Sequence, residues 1–230
     1  MAKRSAKGRA TRARTRSSAR ANAPARVSSS VRVARVVGVL ALQGDVEKHL
    51  AAIERCGAAR RRVRVPADLA GLSALILPGG ESTTISKGLD RHGLIEPIRH
   101  FARAGGALLG TCAGAILLAR ESRNHPVPTL GLIDVEAERN AYGTQVDSFV
   151  APAGAGSRPE WRGMECVFIR APRLAAPGPG VEILARVDGE PVLVRQGRRL
   201  ACTFHPELTE DLRVHAALLE LARSAAVGGR

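Results

Sequence analysis

The 230-residue sequence predicts an α/β fold, a three-layer sandwich with a mixed, largely parallel central sheet. Three observations carry the prediction. Continuous apolar runs of strand length alternate with stretches of helical periodicity in the first half of the chain. Glycine and proline stand at the ends of those runs. One run ends in Gly110-Thr111-Cys112-Ala113-Gly114, which reads as strand, sharp turn and helix with a cysteine at the apex.

The elements follow in order. Val36–Leu42 is a continuous apolar run, typical of a buried parallel strand. Asp45 can cap a helix in which Val46, Leu50 and Ile53 share a face, closed near Gly57. Short strands are expected at 62–65 and 74–77, the latter broken by Pro78-Gly79-Gly80, and a helix at 94–103. The strand and helix of the cysteine turn come next. Beyond Arg120 the texture changes to short β-like stretches near 130–136, 146–149, 166–169, 182–187 and 192–195. A last strand, 200–204, runs into His205. Residues 151–159 contain nothing that can pack and read as a flexible loop. A final helix is expected from near Thr209, with Glu210 and Asp211 in its first turn and Val214, Ala217, Leu218 and Leu221 as its buried stripe.

Ligand sites in such sheets lie at the carboxyl ends of strands. Gly79-Gly80, Cys112 and His205 all fall at expected strand ends, which argues for one shared site. The Gly-x-Cys-x-Gly turn is the thiol version of a nucleophile elbow, and a helix N-terminus favours a thiolate there. A buried small hydrophobe is the ordinary fate of a free cysteine, and it describes Cys56, Cys166 and Cys202. It describes Cys112 poorly, because glycines on both sides at −2 and +2 serve no core purpose. His205 and Glu207, two residues apart, can supply a base and the group that orients it. Cys112, His205 and Glu207 therefore predict a hydrolase. Acyl transfer also needs donors aimed at a developing oxyanion, and the backbone amides near Gly80 and Ala113 are the natural pair. His49, His92, His100, His125 and His215 read as solvated rather than functional. No metal site is expected, since no His, Cys or Asp cluster has ligand spacing, and no cofactor is expected either.

The net charge of +14 is unevenly spread. Residues 1–35 carry eleven Lys or Arg and no acid, leaving 24 basic against 21 acidic residues in the remainder. Residues 1–34 are read as a disordered basic extension and 35–225 as the catalytic domain. The extension could be a nucleic-acid-binding arm, an organellar transit peptide or a dispensable segment upstream of a true start near Val27, Val31 or Val33, and the last is preferred. Scattered cysteines, the lack of an apolar secretory segment and the lack of a membrane-length apolar run point to the cytoplasm.

Seven segments recur together in a known family. They are Leu40-Ala41-Leu42-Gln43-Gly44, Pro78-Gly79-Gly80-Glu81-Ser82-Thr83-Thr84, Gly110-Thr111-Cys112-Ala113-Gly114, Arg139-Asn140-Ala141-Tyr142-Gly143, Gln145-Val146-Asp147-Ser148-Phe149, Val167-Phe168-Ile169-Arg170-Ala171-Pro172 and His205-Pro206-Glu207-Leu208-Thr209. The chain resembles the glutaminase subunits of pyridoxal 5′-phosphate synthase, class I glutamine amidotransferases with a flavodoxin-like sandwich. The resemblance implies that Cys112 attacks the side-chain amide of L-glutamine, with His205 as base and then acid and Glu207 orienting it. It implies that Gly80, Glu81, Ser82, Arg139, Ile169 and Arg170 hold the substrate, with either Arg139 or Arg170 on its α-carboxylate. It also implies docking on a (β/α)₈-barrel synthase in a large hetero-oligomer, with the Gln43-Gly44 segment near the interface, silence until docked, and rearrangement of the Gly79-Gly80 peptide on binding. Val150 replaces an expected acidic residue, and residues 151–160 diverge from the family pattern. The rivals are another triad amidotransferase, against which the length and the G-G-E-S-T-T segment argue, and a catalytically silent scaffold.

Overall fold

The computed structural model describes residues 35–139 and 148–224. The basic extension and the Asn140–Asp147 part of the expected substrate and strand segments lie outside the described residues.

Five strands run parallel in the centre: β1 (Val36–Leu40), β2 (Ala59–Val63), β3 (Leu72–Leu77), β4 (Ala107–Thr111) and β12 (Arg199–Cys202). Antiparallel β11 (Glu190–Gln196) and β10 (Glu182–Val187) complete a seven-stranded sheet of order β10-β11-β12-β4-β3-β1-β2. Side chains alternate between its faces, as the period of two requires. Val37, Val39, Ala74, Ile76, Ala107, Leu109, Leu200 and Cys202 face one core, closed by α1 (Val46–Arg55) and α5 (Arg213–Ser224). Leu40, Leu75, Leu77, Leu108 and Ala201 face the other, closed by α2 (Ser82–Arg91), α3 (Ile95–Arg103) and α4 (Ala113–Leu118). This is the expected mixed sandwich. Both strand faces are apolar because both are covered, which is why the central strands read as unbroken runs.

Two small sheets flank it: β5 (Ala119–Arg123), β6 (Ile133–Glu138) and β9 (Arg173–Ala175), and the hairpin of β7 (Phe149–Pro152) with β8 (Glu165–Phe168). Among the described residues no helix is long and apolar enough to cross a membrane.

Several expectations need correction. Helix α2 was absent from the sequence reading. Its Gly88, Thr83, Thr84 and Ile85 are weak helix formers, and its N-cap is Glu81, whose carboxylate accepts the Thr83 and Thr84 amides at 2.9 and 2.6 Å. The second strand lies at 59–63 rather than 62–65, as an edge strand of arginines. Arg60 and Arg62 pair there with Glu54 and Glu47 of α1. The short strands β5 and β9 were missed, and of the expected strand at 146–149 only Ser148 and Phe149 are among the described residues, with Phe149 opening β7. The 151–159 loop is packed: Ala153 and Ser157 are buried, and Ser157 Oγ accepts the Arg186 amide at 2.9 Å. Helix α5 begins at Arg213, so Glu210 and Asp211 precede it, and Asp211 Oδ1 accepts the Arg213 amide at 3.0 Å. The buried stripe of α5 includes Val214 and Leu218 as expected, and also His215, Leu219 and Ala222.

Candidate active site

The elbow is built by close backbone packing. A Cβ on Gly110 would stand 2.4 Å from the Gly114 carbonyl oxygen, and one on Gly114 would stand 1.9 Å from that of Leu77. The two glycines thus let α4 press onto the ends of β4 and β3, a structural purpose that residue type alone did not reveal. Neither takes a positive φ. Cys112 itself does, at φ 48° and ψ −104°, the strained conformation of a nucleophile elbow. Its thiol points toward the Ile169 carbonyl, 3.8 Å away. Ala113 opens α4, so its amide is one of the donors a helix leaves free at its start.

His205 leaves the end of β12 and enters a short turn, Pro206–Leu208, which folds Glu207 back beneath it. His205 Nδ1 lies 2.8 Å from Glu207 Oε1, and both residues are buried. That bond leaves Nε2 for the sulfur, and Cys112 and His205 border the same pocket, close enough for Cys112 to raise the imidazole. Burial pushes the His205 imidazole down, but Cys112 and Glu207 outweigh it and raise it to about 10. Cys112, His205 and Glu207 thus follow one another in the order that a nucleophile, its base and an orienting carboxylate require.

The triad opens into a pocket of about 330 Å³ lined by Gln43, Gly44, Asp45, Gly79, Gly80, Glu81, Ser82, Ala113, Ile116, Arg139, Ile169, Arg170 and Pro172. Every substrate-holding residue anticipated from the sequence lies on this wall. Gly79 packs directly on the triad, since a Cβ there would meet His205 and Cys112. Its carbonyl faces Gly44, where a Cβ would come within 1.8 Å of the oxygen, so the trans Gly79–Gly80 amide points the other way. Gln43 Oε1 accepts the Glu81 amide at 2.9 Å and braces this turn. The Thr84 hydroxyl, with the Thr83 and Thr84 amides, holds Glu81 down at about 2, and Arg139 Nη2 lies 3.6 Å from its Oε1. Arg139 also donates to the His125 carbonyl at 2.5 Å. Arg170, exposed at φ 45°, stands on the same pocket wall as Arg139. Asp45, the expected helix cap, makes no capping bond. Its carboxylate, the His205 imidazole and the Glu207 carboxylate instead place ligand atoms within 4.8 Å of one another, a cluster that sequence spacing concealed.

The sequence profile of the SNO glutamine amidotransferase family matches residues 39–223. The chain belongs to this family. It is 53% identical over 194 residues to the pyridoxal 5′-phosphate synthase subunit PdxT of Deinococcus radiodurans, across 81% of this chain and 96% of that one. The corresponding subunit of Thermus thermophilus is 53% identical over 189 residues, across 81% and 97%. A crystal structure of a glutamine amidotransferase superposes with a TM-score of 0.74 at 50% identity, covering 81% of this chain and 98% of its own. PurLQS from Thermotoga maritima shares the fold alone, with a TM-score of 0.55 at 16% identity across 81% and 97%.

For this amidotransferase the sequence reading misplaced two histidines. His92, His100 and His125 are exposed, as expected. His49 and His215 are not: they are 0% and 1% exposed and lie behind Glu207. Charged neighbours such as Glu47 and Lys48 disguised His49, and only its position one turn before Ile53 on the buried face of α1 hinted at its burial. Thr111, Gln43 and Asp45 were likewise not singled out for the site.

Proposed function

We propose that this chain is the ammonia-producing subunit of a pyridoxal 5′-phosphate synthase, acting through Cys112, His205 and Glu207. The observation that carries the reading is the strained Cys112 sharing one pocket with His205, whose Nδ1 lies 2.8 Å from Glu207 Oε1. Cys112 Sγ, its proton already passed to His205, attacks the side-chain amide carbon of L-glutamine. The amides of Gly80 and Ala113 receive the developing oxyanion. His205 returns the proton to the departing nitrogen, and ammonia leaves a γ-glutamyl thioester. Water, deprotonated by His205, then attacks the thioester and releases glutamate. Arg170 and Arg139 offer guanidinium groups to the α-carboxylate, and the ionised Glu81 anchors the turn that presents Gly80 and Ser82.

Ammonia released into water is protonated and ceases to be a nucleophile, so a subunit of this kind is useful only when docked. The partner in this reading is a barrel-type synthase in a large cytoplasmic hetero-oligomer, met near Gln43-Gly44 and receiving ammonia through an enclosed path. The Gly79–Gly80 amide turns toward the substrate on docking. The test is glutamate release from glutamine by wild type and Cys112→Ala, with and without the synthase subunit of the same organism. Partner-dependent release that vanishes in Cys112→Ala is expected. Release that survives in Cys112→Ala contradicts the nucleophile assignment, and wild type inactive with its partner leaves a scaffold.

A further inference from the structure

The steps above leave two buried imidazoles without a task. His49 on α1 and His215 on α5 meet beneath the triad, with His49 Nδ1 3.0 Å from His215 Nε2. His49 Nε2 lies 3.3 Å from Glu207 Oε2 and 3.2 Å from Thr111 Oγ1. Of these two contacts the one to Thr111 is the hydrogen bond; among the described residues Glu207 Oε2, the carboxylate oxygen that His205 does not use, accepts none, although His49 Nε2 stands beside it. A buried carboxylate oxygen without a donor is costly.

The tautomers can be assigned from this packing. Burial, reinforced by His215 and His205, pushes His49 well below its ordinary value, and burial pushes His215 down to about 4. Both rings are therefore neutral near pH 7 and carry one N–H each. A proton on His49 Nδ1 would aim the Nε2 lone pair at Glu207 Oε2. It would also leave His215 with its N–H on Nδ1, where no acceptor is found. A proton on His49 Nε2 instead donates to Thr111 Oγ1 and sets a positive N–H edge 3.3 Å from Glu207 Oε2, and His215 Nε2–H donates to His49 Nδ1. Only a lone pair is then left bare, on His215 Nδ1, which is less costly than an orphaned donor.

We infer that His49 is a positioning residue of the triad: its Nε2–H, anchored on Thr111, stands 3.3 Å from Oε2 of Glu207 and attracts it so that Oε1 faces His205, and His215 fixes the tautomer of His49 from behind. The inference rests on the triad chemistry proposed above. It gives α1 and α5 a part in aligning the base, since each supplies one link of the chain His215, His49, Glu207, His205.

The test compares His49→Gln, His49→Asn and His49→Leu in the full chain complexed with its synthase partner. A Gln amide reaches the place of Nε2 and keeps a donor beside Thr111 and Glu207. An Asn amide reaches only the place of Nδ1, and Leu fills the volume without a donor. The expected result is a 10–100-fold loss of kcat for glutamine in His49→Asn and His49→Leu, with KM unchanged. His49→Gln should recover most of it at a similar unfolding midpoint. If His49→Leu fails to fold, the Gln–Asn pair decides. The downfield proton resonance of His205 Nδ1–H should persist in His49→Gln and broaden or shift upfield in His49→Asn, a signal readable even in a subunit that releases no glutamate. Equal kcat in wild type, Gln and Asn variants, or equal losses in Gln and Asn, overturn the inference. Wild type that releases no glutamate with its partner, yet shows the expected resonance pattern, sinks the glutaminase reading and leaves the positioning role standing.

Discussion

His205 and His49 touch the same carboxylate, one through each oxygen of Glu207, and their protonation preferences run in opposite directions. His205 borders the pocket beside Cys112 and is raised to about 10. His49 has no pocket side. Buried among Glu207, Thr111 and the neutral His215, it is pushed well below its ordinary value. A nearby carboxylate is thus insufficient to charge an imidazole: burial wins where the ring is wholly enclosed, and the carboxylate wins where the Cys112 sulfur adds its share. The pocket side of Glu207 is arranged to hold a proton, and the core side is arranged to exclude one.

Breaking the carboxylate should erase the contrast. Glu207→Gln keeps the shape but removes the charge, so kcat for glutamine should fall about 10³–10⁴-fold. The His205 titration, followed by NMR, should drop toward or below its ordinary value. A His205 that stays near 10 in this variant would mean that Glu207 does not set its protonation.

The contrast also fixes two limbs of the pH–stability curve. His215 is held at about 4 when folded, against about 6.5 unfolded, so on acidification through this window the unfolded chain takes up a proton that the folded chain refuses. Stability is therefore fullest above about pH 6.5 and should decline by about 3 kcal/mol as the pH falls to 4, with His49 adding in the same direction. His205 acts oppositely. Its raised value makes its contribution complete below about pH 6.5, and that contribution is lost as the pH rises toward 10. Denaturant unfolding between pH 4 and 10 should show the acid limb flattened in His215→Leu and the alkaline limb flattened in Glu207→Gln. An unchanged acid limb in His215→Leu would remove His215 from the account.

The smallest effect is expected on the far wall of the pocket. Glu81→Ala removes the cap of α2 and should cost about 1 kcal/mol of stability, read from the denaturation midpoint. It also frees the Arg139 guanidinium that Glu81 accompanies, so KM for glutamine should change more than kcat.

The same contrast explains what was legible in the sequence. The elbow and the His205-Pro206-Glu207 turn are local, with their spacing and residue types carrying their geometry. The parallel strands are legible because each is buried on both faces and reads as an apolar run. His49 and His215 are 166 residues apart, and no local pattern joins them. Their pairing exists only because α1 and α5 cover the same face of the sheet. Helix α2 was hidden by an unusual cap and by residues that favour strands. The 151–159 loop looked unpackable because the partner that buries Ser157 is backbone, the Arg186 amide and carbonyl, which leaves no trace in side-chain pattern.

The most direct test of the central claim is covalent trapping of the nucleophile. The complex of this chain with its synthase partner is treated with an electrophilic glutamine analogue, a diazoketone that carries the same α-amino acid group, and digested for peptide mass analysis. The account predicts a single adduct on the peptide containing Cys112, blocked by excess glutamine and absent in His205→Ala. An adduct on Cys56, Cys166 or Cys202, or glutamate release that continues with Cys112 unmodified, would contradict it.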